Sequence, residues 1–185
     1  DAAIRFGRGM WPNCLATKLF DIYVQPVCAP SLLNSENQSV TLEELAQHNW
    51  LGYKHLPHIW GRWLEGCGEP YQEYANKTDI VFDNVAVAVQ AAVDGLGVIP
   101  MYRPLADPLI KSGKLVVAHR SIRPLEDSYY FVCTPHFERH KPTATFRQWI
   151  LSQATAFEQE WKRTLKDQSS GELDLAEAGI ELHIN

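Results

Sequence analysis

Two arginines near the start of the chain are the side chains best suited to bind a ligand. The apolar residues before them predict a short strand, and Arg5 and Arg8 follow at its end together with Gly7 and Gly9. Glycines at such a junction let the backbone come close to another group. A guanidinium binds a carboxylate through two parallel hydrogen bonds. The pattern therefore predicts recognition of a small acid, although Arg8 taken alone is typical of a solvated surface charge.

Two helix starts and several aromatic side chains could complete such a site. Helices are predicted to begin near His58 and after Asn84, and a helix N-terminus offers unpaired N–H groups and the positive end of a dipole. Four aromatic residues accompany these positions: Phe6, Trp11, Tyr53 and Trp60. Trp60 fits a core position as well as a binding surface. Together these residues predict a cleft for a small organic acid.

No arrangement of residues supports catalysis or metal binding. The sequence has no Gly-x-Ser-x-Gly, no cysteine placed beside a histidine and no convincing pair of carboxylates. The cluster with metal-like spacing, Cys133-x-x-His136-x-x-x-His140, lacks a fourth ligand. A strand cysteine followed by exposed loop histidines is the simpler interpretation. We therefore predict that the protein is not an enzyme and binds neither a cofactor nor a metal.

Negative charge is concentrated at the C-terminal end of the chain. The formal net charge is −5, and five acids against one lysine from residue 166 onward leave the body before it at −1. Such a body has no electrostatic footprint for a phosphate backbone, so it is not expected to bind duplex DNA. The Ser169-Ser170-Gly171 break and the acidic run predict a mobile tail over residues 166–185.

Hydropathy and cysteine spacing favour a cytoplasmic protein. No apolar run approaches the length of a membrane span. The cysteines are widely spaced and form no Cys-x-x-Cys pair, which favours free thiols in a reducing compartment. They are Cys14, Cys28, Cys67 and Cys133.

Strand and helix patterns alternate along most of the chain, which is typical of βαβ units with a mostly parallel sheet. Strands after the first are predicted at 19–28, 50–53, 78–82, 97–100, 115–117 and 128–133. Helices are predicted at 41–45, 58–66, 85–93, 105–111 and after Pro142. Thr41 is the expected N-cap of the first of these helices, and Asp83 and Asn84 are the N-cap candidates of the helix over 85–93. Gly95 is the expected C′ residue. The helix over 85–93 is apolar on every side, so we expect it to be buried between other elements.

Six groups of residues follow one another in a characteristic order. They are DAAIRFGRGMWP at 1–12, Leu19-Phe20 with PVCAPSLL at 26–33, Trp60-x-x-Trp63-Leu64, AAVDGLGV at 91–98, YYFVC at 129–133 and FRQWI at 146–150. In this order they resemble the motifs of LysR-type transcriptional regulators, and of the glycine-cleavage-activator-like branch in particular. The resemblance covers about residues 1–155. Because the chain opens within a strand, it implies that the family's helix-turn-helix and the first strand–helix pairs of its effector domain are absent.

The resemblance implies an α/β, two-lobed fold of the periplasmic-binding-protein type II kind, with an incomplete first lobe. Residues 1–23 and 131–165 would form the first lobe and residues 24–130 the second. The ligand would bind in the crevice between the lobes, where strand ends and helix N-termini converge. Carried over position by position, the effector-binding residues are Arg5, Phe6, Gly7, Arg8, Tyr53, His55, Trp60, Phe82 and Asn84.

The same resemblance implies the ligand-sensing domain of a cytoplasmic DNA-binding transcriptional regulator, in which a small anionic effector changes the hold on DNA. The expected partners are the effector, further copies of the chain in a homodimer or tetramer, and DNA contacted only through the absent helix-turn-helix. No membrane partner is expected. The alternative is a free-standing solute-binding protein of the same fold. A signal peptide upstream would favour it, whereas a basic helix-turn-helix upstream would favour the regulator.

Overall fold

The computed structural model describes residues 2–33, 40–65, 74, 76–103 and 105–168, with side chains up to Arg163. Its strands are β1 (Ala2–Gly7), β2 (Leu15–Cys28), β3 (Leu51–Tyr53), β4 (Ile80–Phe82), β5 (Ile99–Arg103), β6 (Val116–Val117) and β7 (Arg123–Cys133). Its helices are α1 (Leu42–Leu45), α2 (Ile59–Glu65), α3 (Val85–Val93), α4 (Asp107–Lys111), α5 (Pro135–Glu138) and α6 (Lys141–Gln168), and a 3₁₀ turn spans Pro30–Leu32. The predicted strands and helices are present, but β2 and β7 begin earlier than predicted. Residues 169–185 of the predicted acidic tail lie outside the described residues.

Side-chain and glycine caps determine where α1 and α3 begin and end. Thr41 Oγ1 accepts the N–H of Glu44 at 3.3 Å, and Glu44 Oε2 accepts the N–H of Thr41 at 2.9 Å. This reciprocal pair is a capping box and confirms the predicted N-cap. Of the two predicted N-cap candidates of α3, the structure selects Asn84. Gly95 follows the C-cap Asp94 with φ +79°, the left-handed conformation expected at C′.

The larger sheet has the strand order β1-β7-β2-β5, and β6 also pairs with β2. The pairs β1–β7, β2–β5 and β2–β6 are antiparallel, so the prediction of a mostly parallel sheet is wrong here. A parallel pair needs a crossover, usually a helix. Helix α2 provides one between β3 and β4, which do pair in parallel, whereas β5 and β6 return beside β2 from the opposite direction.

The described residues form two compact units. Unit 1 comprises those within Asp1–Ile22 and Pro124–Leu173, and unit 2 those within Tyr23–Arg123. The chain thus changes units after residues 22 and 123, whereas the predicted boundaries follow residues 23 and 130. The core cluster of unit 1 consists of Leu19, Phe131, Cys133 and Ala154.

Three buried tryptophans form the centre of unit 2. Trp50 stacks on Trp60 with ring centroids 4.2 Å apart, and Trp63 meets Trp60 edge-on at 5.8 Å. A buried indole N–H needs an acceptor. Each of the three donates to a backbone carbonyl, namely those of Leu45, Leu51 and Ser121 in chain order of the donors. These bonds fix the rings relative to the backbone around them.

A buried polar cluster in unit 2 joins β2, β5 and α4. Arg103 Nη1 donates to Gln25 Oε1 at 2.6 Å, and the same guanidinium pairs with the Asp107 carboxylate. Gln25 Nε2 donates to the backbone carbonyls of His119 at 3.1 Å and Arg120 at 3.0 Å. Burial lowers the pKa of Arg103, and Asp107 opposes that shift by favouring the charged guanidinium.

Helix α3 is less buried than its composition predicts. Ala88 and Ala92 are buried where the helix packs on β3, β4 and β5. Val85 and Val87 are 46% and 54% exposed, so the expectation that α3 is buried on all sides is wrong. The small alanines bring the helix close to the sheet, and the larger valines remain on its accessible side. Helix α6 likewise exposes Phe146, Trp149 and Phe157.

The three cysteines among the described residues, Cys14, Cys28 and Cys133, are free thiols. Cys67 lies outside the described residues. Burial raises the pKa of Cys28 to about 12. Within the described ranges, no helix combines the length and the apolar character needed to cross a membrane.

Candidate functional site

Arg5 and Phe6 lie on opposite faces of β1. The antiparallel register pairs Arg5 with Tyr130 and Phe6 with Tyr129, and successive side chains of a strand point to opposite faces. The ring contacts follow this alternation. Phe6 lies 5.2 Å from Tyr129 between ring centroids, and Tyr129 lies 5.6 Å from Phe20. The structure therefore does not bring Phe6 together with Arg5, although both belong to the predicted site.

Trp11 folds back over the Arg5 side of this strand pair. Arg5 Cζ lies 5.0 Å from the centroid of the Trp11 ring, within the range of a cation–π contact. The Trp11 ring meets that of Tyr130 nearly at right angles, with centroids 5.5 Å apart. The loop is closed by a hydrogen bond from the Cys14 N–H to the Trp11 carbonyl at 3.2 Å, and Asn13 between them has φ +58°. Arg5, Trp11 and Tyr130 thus form one cluster in unit 1.

Gly7 and Gly9 leave the space that these two rings occupy. A Cβ on Gly7 would lie 3.1 Å from Cζ2 of Trp11, and a Cβ on Gly9 would lie 2.8 Å from Cε1 of Tyr130. Gly9 also has φ +78°, which other residues adopt only at a steric cost. The two glycines therefore allow a close approach, as the sequence indicated, and the groups that approach are the rings of the cluster.

The two arginines of the predicted site differ in their partners. Arg8 Nη2 forms an exposed ion pair with Glu126 Oε2 at 2.8 Å. Among the described residues, no carboxylate forms an ion pair with Arg5, which contacts the face of Trp11 instead. A guanidinium already paired with a carboxylate presents little net charge to an anion. Arg5 is therefore the cation of this region that can accept an anionic ligand.

Three predicted residues of unit 2 lie together at the ends of β3 and β4. Tyr53 and Phe82 are register partners in the parallel pair, and the Lys54 N–H donates to the Phe82 carbonyl at 2.8 Å. The Tyr53 ring lies 6.0 Å from that of exposed His55 between centroids. Burial raises the pKa of Tyr53, so its phenol remains protonated at neutral pH. Tyr53, His55 and Phe82 thus form a second small cluster.

Asn84 uses its side chain to cap α3. Its Oδ1 accepts the N–H groups of Ala86 at 2.8 Å and Val87 at 3.3 Å. Both groups are therefore satisfied within the helix, contrary to the expectation that this N-terminus offers unpaired N–H groups to a ligand. Asn84 lies two residues beyond Phe82, close in sequence to the unit 2 cluster.

Trp60 lies in the core of unit 2. Its side chain is 2% exposed, and its indole N–H donates to the Leu51 carbonyl at 2.9 Å. The structure therefore does not bring its ring to the surface beside His55. Its contacts with Trp50 and Trp63 support α2, the helix that follows the Tyr53–His55 segment.

Trp11 was predicted to lie near the cleft but was not among the effector-binding residues carried over from the resemblance, and Tyr130 and Glu126 were predicted in neither way. The spacing Gly-x-Gly-x-Trp was a usable signal for Trp11, because glycines two and four residues before an aromatic ring permit a sharp return of the loop. Tyr130 and Glu126 could be found only from the pairing of β1 with β7, since register is not encoded in either strand alone.

A concave region of about 660 Å³ lies beside α5, and none of the predicted effector-binding residues lines it. It is lined by Pro135, His136, Glu138, Arg139 and His140. All five of these residues are exposed, and the part of the chain that the structure describes contains no group of three side chains suited to a metal. We therefore centre the candidate site on Arg5 and the loop that follows β1.

Comparison with known families and proteins gives consistent matches. Residues 1–155 match the sequence model of the family described as LysR substrate binding domain. The chain is 32% identical over 162 residues to the glycine cleavage system transcriptional activator of Escherichia coli strain K12, across 88% of this chain and 52% of that protein. The chain spans about half the length of the curated relatives it matches.

Solved structures with a similar fold are effector domains of regulators. The effector domain of the transcriptional regulator AmpR of Pseudomonas aeruginosa superposes with a TM-score of 0.69 at 24% identity, covering 86% of this chain and 75% of that chain. The AmpR effector binding domain from Citrobacter freundii gives a TM-score of 0.67 at 22% identity, covering 84% and 75%. The fold is therefore the α/β, periplasmic-binding-protein type II-like fold that the sequence predicted.

Proposed function

Because the chain belongs to the LysR substrate binding domain family, we propose that it is the ligand-sensing regulatory domain of a DNA-binding transcriptional regulator. The relatives that share about a third of its residues are themselves named as transcriptional activators, which favours this function over a free-standing solute-binding protein. DNA would be contacted by a separate segment of the regulator, since the body of this chain is near neutral. Such a regulator acts in the cytoplasm and needs no catalytic residue.

The effector is a small organic acid bound by Arg5. The observation that carries this proposal is the difference between the two arginines, because Arg8 is paired with Glu126 whereas Arg5 is exposed without an ion-pair partner among the described residues. An uncompensated guanidinium is suited to bidentate recognition of a carboxylate. Gly7 supports the site indirectly, by making room for the ring that covers Arg5.

The unit 2 residues at the ends of β3 and β4 are proposed as further effector contacts. The neutral phenol of Tyr53 and the exposed imidazole of His55 can donate hydrogen bonds, and Phe82 offers an apolar surface beside them. Asn84 can contribute through the part of its amide that does not cap α3. Trp60 acts by supporting α2, and Phe6 by packing on Tyr129.

Self-association is proposed through apolar surface on unit 2. Val81, Val85 and Val87 are 46–57% exposed on β4 and α3, which is more apolar surface than isolated exposed residues present. A second copy of the chain would cover it in an isologous contact. Sedimentation of the regulator at micromolar concentration should then give a dimer or tetramer, and a monomer would contradict this part of the proposal.

The experiment that tests the acid effector compares small carboxylates with their neutral amides by calorimetric titration of the 185-residue chain. We expect at least one carboxylate to bind and its amide not to bind. Arg5→Ala should weaken that binding by roughly 1.5–3 kcal/mol, the scale of a charge-assisted hydrogen bond. Arg8→Ala is the matched control, because it removes an arginine that Glu126 already neutralises. Equal binding of acid and amide, or an Arg5→Ala variant that binds as the wild type does, would refute the proposal.

A further inference from the structure

We propose that Trp11 is the positioning residue for Arg5, and that it holds the guanidinium so that its N–H edge can receive a carboxylate. The proposal rests on the proposed function, since it assumes that Arg5 receives the anion. It gives a specific role to an aromatic residue that the sequence placed only in the general neighbourhood of the cleft. The ring would hold the guanidinium in one orientation before the ligand arrives.

The position of the Trp11 ring is determined by several contacts within unit 1. The Cys14 N–H closes the turn on the Trp11 carbonyl, and Gly9 lets the loop pass against the Tyr130 ring. Trp11 then meets Tyr130 edge-on at 5.5 Å. Because Tyr130 is the register partner of Arg5 on β7, the ring that orients Trp11 and the arginine that Trp11 covers belong to the same rung of the sheet. A ring held in this way can restrict a long, flexible arginine.

The contact with Trp11 limits the sides from which a ligand can reach Arg5. Arg5 Cζ lies 5.0 Å from the ring centroid, so the indole shields the guanidinium on one side. The N–H groups of a guanidinium lie in its plane and form a fork that matches a carboxylate. An anion must therefore approach along that plane. Restricting the arginine beforehand lowers the conformational entropy lost on binding.

The charges around Arg5 favour an anionic ligand over a neutral one. The neighbouring Arg8 is neutralised by Glu126 at 2.8 Å, whereas no carboxylate forms an ion pair with Arg5 among the described residues. A carboxylate would supply the counter-charge that Arg5 lacks, and a neutral amide would not. A monocarboxylate should therefore bind better than its amide.

The test uses the Arg5 Nε–H signal in NMR spectra of the 185-residue chain, assigned from its absence in Arg5→Ala. Propionate and propionamide are the probes. In the wild type the indole should shift the Arg5 Nε–H signal upfield by its ring current, and propionate should move that signal more than propionamide does. The ring-current shift reports the contact between Trp11 and Arg5, and the propionate affinity of the Trp11 variants reports whether that contact affects binding.

Two substitutions of Trp11 and one control separate positioning from folding. Trp11→Leu should abolish the ring-current shift and weaken propionate binding about two- to five-fold, the scale of an exposed cation–π contact. Trp11→Phe keeps an aromatic face and should restore most of both effects. Trp149→Leu removes another exposed tryptophan of unit 1 from α6 and should change neither.

The outcomes distinguish this inference from the proposed function. If propionate does not move the wild-type Arg5 signal, the proposed carboxylate site is refuted. A wild type that responds, together with a Trp11→Leu variant that has the same Arg5 shift and the same affinity, would overturn the role of Trp11 and leave the proposed function intact.

Discussion

Arg5 in unit 1 and Arg103 in unit 2 illustrate two opposite uses of a guanidinium. Arg103 is 1% exposed, pairs with Asp107 and donates to Gln25. Arg5 is exposed and rests on the face of Trp11, with no carboxylate paired to it among the described residues. A buried charge must be compensated because it has lost its hydration, whereas an exposed charge can remain unpaired at little cost. The compensated arginine therefore belongs to the fold, and the uncompensated one is available to a ligand.

The largest expected effect comes from breaking the compensated pair. Arg103→Met removes the buried guanidinium that pairs with the Asp107 carboxylate, so the free energy of unfolding should fall by about 3–5 kcal/mol. Arg5→Met should change it by less than about 0.5 kcal/mol, because Arg5 is exposed. Urea denaturation of both variants measures the two values. Similar losses of stability in the two variants would show that Arg5 and Arg103 contribute equally to the fold.

His119 provides a second comparison, because it is a base buried without an ion pair in the described part of the chain. Burial lowers its pKa to about 4, and Arg120 and Arg123 contribute to that shift. The unfolded chain therefore takes up a proton first as the pH falls below about 6.5, and stability declines from there until about pH 4. The difference between 6.5 and about 4 corresponds to about 3 kcal/mol.

A His119→Asn variant isolates this contribution to the acid sensitivity. Asparagine keeps an acceptor for the Ser121 N–H, which bonds to His119 Nδ1 at 3.1 Å in the wild type. Between pH 6.5 and 4 the stability of the wild type should fall more steeply than that of the variant. Parallel profiles from urea denaturation at several pH values would show that His119 does not titrate as argued.

Gly9→Ala tests how tightly the loop that carries Trp11 packs against the Tyr130 ring. The new methyl group meets the Tyr130 ring, and the residue must keep φ +78°. Gly113→Ala is a matched control in unit 2, with φ +72° and open space around its Cβ position. The control should lose about 1 kcal/mol from the backbone alone, and Gly9→Ala about 2 kcal/mol or more. If Gly9→Ala and Gly113→Ala lose the same stability in thermal unfolding, the Tyr130 ring moves aside for the methyl group at no measurable cost.

The smallest effect is expected where an exposed charge is already paired. Glu126→Gln removes the partner of Arg8, and both side chains are mostly exposed. Stability should change by about 0.5 kcal/mol or less, as is usual for exposed ion pairs. If the free energy of unfolding measured in urea falls by more than about 1 kcal/mol, the Arg8–Glu126 pair stabilises the fold as the Arg103–Asp107 pair does.

The elements were predictable where local signals specify them. The Thr41 capping box, the Asn84 cap and the glycine after α3 all lie within a few residues of the helix ends that they determine. Strand direction was not predictable in this way, because the partners of β2 come from distant parts of the chain. The burial of α3 was not predictable from local signals either. Its composition indicates that its apolar side chains favour burial, but it does not indicate whether residues of the same chain cover Val85 and Val87.

The candidate site was only partly predictable, for reasons that particular residues make clear. Type and spacing alone singled out Arg5 and its glycines as candidates. The period of two along a strand was enough to separate Phe6 from Arg5, because it places neighbouring residues on opposite faces. The difference between Arg5 and Arg8 depends on Glu126, which lies near Arg8 only through the pairing of β1 with β7.

The tryptophans divide between the units in a way that provides an optical label for each. Of six in the sequence, Trp50, Trp60 and Trp63 are all buried in unit 2, whereas unit 1 has half-buried Trp11 and exposed Trp149 besides buried Trp161. A buried indole emits at shorter wavelengths than a hydrated one. The red edge of the native emission spectrum therefore comes from unit 1, and its blue edge is dominated by the ring stack of unit 2. Fluorescence can follow the melting of the two units separately, without any attached dye.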